Sequence, residues 1–78
     1  MISDKVKALL ALSGKRQGDL AEVLGIAKQS VANKMMRDSW SATDLLAMAD
    51  LAGGKLLIEL PNGQQIIFER NKEEAPGD

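Results

Sequence analysis

The reactive inventory of this chain is short: it has no histidine and no cysteine. The commonest general base and metal ligand is therefore missing, and so are a thiol nucleophile, a disulfide framework and a thiolate zinc site. The acids suggest no catalytic dyad. Asp44 is placed to cap a helix, Glu59 and Glu69 decorate strands, and Glu73-Glu74 fall in a polar tail. With no glycine-rich phosphate loop and no converging carboxylates, the chain reads as a binding protein and not an enzyme. No cofactor, metal or small-molecule ligand is expected. What remains is recognition chemistry, densest from Lys28 to Arg37, which holds three bases and no acid around Gln29, Ser30 and Asn33. Gln29 can pair bidentately with adenine N6 and N7, Lys28 can reach guanine O6/N7 or a phosphate, and Ser30 discriminates only weakly.

These side chains need a helix to aim them. Lys28 to Met36 reads as one, with Val31 and Met35 inward and Lys28, Gln29, Ser30, Asn33 and Lys34 left for solvent or ligand. Before it, Gln17 to Leu24 reads as a helix with Leu20, Ala21, Val23 and Leu24 as its buried face, stopped by Gly25. An earlier helix runs about Asp4 to Ser13, with Ser3 as its cap, Val6, Leu9 and Leu10 on the apolar stripe and Gly14 just past its end. Ser41 and Asp44 resemble a capping box for a later helix, whose Leu45, Met48, Ala49 and Ala52 line one stripe before Gly53-Gly54. Trp40, between two helices, is expected to fill the core.

Gln17 to Met36, QGDLAEVLGIAKQSVANKMM, is the informative stretch. Ala21 sits where two helices crossing at roughly 90–120° demand a small side chain. Gly25 can take positive φ at low cost, and Leu20, Ile26 and Val31 can share one small core. The stretch resembles a helix-turn-helix of the lambda-repressor and Cro type, the XRE family, and the resemblance extends over about Ser3 to Glu69. It implies a mainly α fold, a four- to five-helix lambda-repressor-like bundle followed by a C-terminal β-hairpin. It also implies a small transcriptional regulator, of mobile-element or antitoxin-like kind. Two positions depart from the family: Arg16 and Ala27 stand where its second and third helices usually start with Ser or Thr.

Residues and resemblance together point to sequence-specific binding of double-stranded DNA by a repressor. Lys28, Gln29 and Ser30 are the expected base contacts. Gln17, at a helix start where free N–H groups and the dipole favour phosphate, is an expected backbone contact, as are Asn33, Lys34 and Arg37. The net charge of −1 conceals an asymmetry: residues 1–40 carry seven Lys/Arg against four acids, residues 41–78 three against seven. One face can thus meet a polyanion while the other does not. The acidic second half and the missing caps also fit an alternative, a protein-interaction module of the same fold that has lost DNA affinity.

Length and patterning complete the expectations. Seventy-eight residues suit one small domain, residues 1–70, with a disordered tail at 71–78 and no room for a sensor domain. No apolar run approaches the roughly 20 residues of a membrane span, and no signal-peptide core opens the chain, so a cytoplasmic protein is expected. Pro61-Asn62-Gly63 between two apolar runs predicts a hairpin at about 55–69 with a type I turn and G1 bulge. In that register Leu60 pairs with Gln64, Ile58 with Ile66 and Leu56 with Phe68. Leu56, Ile58, Leu60, Ile66 and Phe68 are then expected to face the helices, leaving Leu57 and Ile67 as an outer apolar pair. Free hairpin edges and that pair predict a symmetric homodimer through the hairpin.

Overall fold

The computed structural model describes residues 1–69; the tail expected at 71–78 lies outside them. Four helices, α1 (Ile2–Ser13), α2 (Gln17–Leu24), α3 (Lys28–Arg37) and α4 (Ala42–Ala52), precede strands β1 (Leu56–Glu59) and β2 (Gln65–Phe68). α2 packs on α3 and α4, and α1 lies across α3 and α4. Their shared interior is formed by Val6, Leu10, Leu20, Ala21, Val31 and Met48, with Ile26, Met35 and Trp40 among the partly buried residues around it. Leu20 and Val31 are completely inaccessible. The three residues expected to knit the motif, Leu20, Ile26 and Val31, do meet there. Val23, expected on the buried face of α2, is exposed: at about 3.6 residues per turn it lies beyond the edge of the stripe formed by Leu20, Ala21 and Leu24.

The start of α1 departs from expectation. Ser3 is not its cap; it lies inside the helix and is buried. Its hydroxyl donates to the Met35 carbonyl (2.8 Å) and accepts the Trp40 indole N–H (3.0 Å). The capping acceptor comes from a distant part of the chain: Asp38 Oδ1 takes the Ser3 backbone N–H at 2.6 Å. Asp38 is the C-cap of α3, in the left-handed region with φ 54°. Aspartate is one of the few residues that tolerates this conformation, and here it ties the end of one helix to the beginning of another. Trp40 is partly buried against the core, and its only polar atom is satisfied through Ser3.

Ser41 and Asp44 form the reciprocal cap expected of them. Asp44 N–H donates to Ser41 Oγ (3.1 Å) and Ser41 N–H to Asp44 Oδ2 (3.0 Å).

The hairpin has the expected register: Leu56 opposite Phe68, Leu57 opposite Ile67, Ile58 opposite Ile66. Leu60 N–H bonds the Gln64 carbonyl, and Gly63, at φ 88°, supplies the left-handed residue that the three-residue loop requires. The expected sidedness holds only in part. Leu56, expected inside, is half-buried beside α1 and α4, and Ile67, expected outside, is exposed. But Ile58 and Ile66 are 53% and 52% exposed, Leu60 and Phe68 are also open, and Leu57, expected outside, is half-buried. Among the helices, α4 contacts β1, so the hairpin stands beside the bundle and does not lie across it. Apolar side chains remain open on both of its faces.

Candidate nucleic-acid interface

α2, the turn at Gly25 and α3 build the site. Gly25 takes φ 70° and closes α2, with its N–H bonded to the Glu22 carbonyl and the Ile26 N–H to that of Ala21. A side chain with a Cβ would be strained at that angle. The buried Val31 holds the inner side of α3, which sets the rotation of the helix. Lys28 and Gln29 consequently point to solvent, and Ser30 is half-buried behind them.

Both helix starts in the motif lack a side-chain cap. At α3 the N-cap is Ala27, and no side chain receives its first N–H groups. At α2 the N-cap is Arg16; Asp19 Oδ2 accepts the Arg16 N–H at 2.9 Å, but a guanidinium has no lone pair to return the bond. Each start therefore offers amide donors and the positive end of a helix dipole. The two starts adjoin: Lys28 Cε lies 3.0 Å from where a Cβ on Gly18 would stand. The absence of that Cβ lets the Lys28 stem rest on the first turn of α2, one residue from the exposed Gln17. Gly18 had no visible role in the sequence, because its partner is ten positions away on another helix.

The remaining expected contacts divide. Gln29 Nε2 donates to Asn33 Oδ1 at 3.3 Å, one turn along α3. Asn33 thus orients Gln29 and leaves the Gln29 carbonyl and its second N–H for a ligand. Arg37 is exposed in the last turn of α3, where a cation also complements the dipole. Lys34 is engaged elsewhere: its ammonium sits 2.9 Å from Asp44 Oδ2, the oxygen that also caps α4. A phosphate would compete with Asp44 for it. Burial pushes the Asp44 carboxyl upward, but the Ser41 N–H and Lys34 outweigh that and hold it below its ordinary 3.8. The Asp38 carboxyl is also lowered, chiefly by the Ser3 N–H that it accepts.

Among the described residues no three His, Cys, Asp or Glu gather to hold a metal, and no helix is long and apolar enough to cross a membrane. Residues 6–65 match the model of the bacteriophage CI repressor helix-turn-helix domain. The chain belongs to that family. It is, in general terms, a DNA-binding transcription regulator, of a family without enzymatic chemistry. No curated protein and no solved structure matches it.

Proposed function

We propose that the domain is a repressor that reads double-stranded DNA in a sequence-specific manner with α3, in the cytoplasm, as a symmetric homodimer joined through the hairpin. The observation that carries the reading is the convergence of two uncapped helix starts at Lys28. It gives a phosphate-binding corner beside an exposed, pre-oriented amide at Gln29. In a helix-turn-helix the early residues of the second helix meet base edges in the major groove. Lys28 and Gln29 are so placed, with Ser30 at the margin. Gln17 sits at the phosphate corner, and Asn33, Lys34 and Arg37 follow along the backbone. One such helix reads only a few base pairs, so two copies on half-sites about 34–36 Å apart are the natural assembly.

Selection from a random-duplex library, followed by titration of the winning duplex over a range of salt, tests the reading. A preferred pseudo-palindromic site and a falling affinity with salt are expected. A second reading, a protein-interaction module of the same fold, is favoured by one observation: the Lys34 ammonium already has a carboxylate partner. Absence of binding to any duplex at low salt would select it.

A further inference from the structure

The hairpin has an unsolved burial problem. Two-stranded hairpins with both faces wet are marginal in water, yet this one leaves Ile58, Leu60, Ile66 and Phe68 on one open face. Across the helices runs a shallow apolar surface. Two adjoining hollows, ≈460 and ≈160 Å³, share Lys5, Leu9 and Ala52. One extends to Leu12, which is 90% exposed, and the other to Leu45 and Leu56. The result is an apolar trough along α1 and α4.

We infer that this trough receives the hairpin of a second copy of the chain, so that two copies exchange hairpins about a two-fold axis. The inference rests on the dimeric reading above and specifies its contact: Ile58 and Ile66 of one copy against Leu9, Leu12 and Ala52 of the other. Three features favour a second copy as the occupant. Ridge and trough are both apolar and belong to the same sequence. Residues 70–78 carry no large apolar side chain to cover either surface. A two-fold axis also makes the contact twice, so each half has to bury only about 800 of the roughly 1,600 Å² typical of a stable complex.

The chain has no cysteine, so introduced thiols report cleanly. Full-length chains carrying Leu12→Cys or Ile66→Cys, mixed and oxidised, should give a disulfide-linked heterodimer. In sedimentation, Leu12→Glu and Ile58→Glu/Ile66→Glu should each abolish the dimer, with helical circular dichroism unchanged because these side chains are exposed. Mixing those two variants should restore a dimer held by one intact contact. A dimer that resists Leu12→Glu, or Ile66→Cys chains that link to each other instead, would overturn the trough and leave a hairpin dimer standing. Loss of the dimer only in Leu57→Lys/Ile67→Lys would move the contact to the other face with the same consequence. A wild type that stays monomeric at high concentration and on DNA overturns the proposal outright. So does a monomer whose Leu12→Cys thiol resists alkylation, since the chain's own residues would then fill the trough. DNA binding is measured separately: a crosslinked dimer that binds no duplex sinks the repressor reading and leaves this one intact.

Discussion

At the residue scale, the recognition helix carries a division of labour that mutation can expose. Gln29 is solvent-facing and its amide is oriented by Asn33. Gln29→Ala should cost about 1–3 kcal/mol on the preferred duplex and relax one base position; titration on single-base variants of that duplex measures it. Equal loss on every duplex would make Gln29 a backbone contact. Arg37 is free of such an amide partner and sits at the far end of α3, so Arg37→Ala should weaken all duplexes alike and lower the salt slope by about one. Lys34 should behave differently from Arg37. Its ammonium is 2.9 Å from Asp44 with both side chains well covered, so a phosphate contact requires breaking that pair. Lys34→Ala is therefore expected to lower stability as well as affinity, read by denaturant midpoint and by titration. A stability loss with unchanged DNA affinity would reduce Lys34 to a structural residue.

At the scale of elements, the helix ends hold the informative chemistry. Ala27 leaves the first N–H groups of α3 without a side-chain acceptor. Ala27→Ser should raise stability by about 0.5–2 kcal/mol, measured by denaturation. Gly18→Ala should stabilise α2 by roughly 0.5–1 kcal/mol through helix propensity. The new Cβ would meet Lys28 Cε at 3.0 Å, so the Lys28 side chain must give by a few tenths of an ångström, and DNA affinity should change while stability improves. A stabilised variant with unchanged affinity would remove the corner at Lys28 from the interface. The acidic caps set the pH response. Asp38 and Asp44 both have pKa values lowered from 3.8 in the folded state. A carboxyl of lower folded pKa binds fewer protons when native, so its stabilisation is complete above the unfolded value and is lost as pH falls through the folded one. Stability should therefore hold at neutral pH and decline below about pH 4. Asp38→Asn should flatten part of that decline, checked by melting temperature across the acid range.

For the whole molecule, uneven charge and uneven burial describe the same division. Residues 1–40, which hold α1 to α3, carry the excess of cations, and residues 41–78 carry the excess of acids. A net charge of −1 thus accompanies an excess of three cations over the segment that holds α1 to α3, and association with DNA should slow and weaken as salt screens it over a Debye length of about 10 Å at 0.1 M. The core is small and centred on Leu20, Val31 and Met48. Leu20→Ala should cost about 2–5 kcal/mol, a large part of the 5–15 kcal/mol that a domain commands, and its measured unfolding should approach loss of the native state.

The sequence by itself determined what is local. The α2 bounds, the turn at Gly25, the Ser41–Asp44 cap and the hairpin register were all legible, because each depends on side chains within a few positions of one another and on φ angles that few residues accept. The outward Lys28 and Gln29 followed from the inward Val31, whereas Ser30, Asn33 and Lys34, expected beside them, are half-buried. Whatever joins distant segments was decided only in three dimensions. Asp38 caps α1 from 35 positions away and displaces Ser3 into the interior. Lys34 answers to Asp44, and Lys28 rests on Gly18. The hairpin shows the same limit. Alternation marked which side chains share a face, but which face meets the helices depends on how the chain leaves α4 after Gly53-Gly54. Periodicity along a strand carries no information about that direction, because it is set by packing between elements.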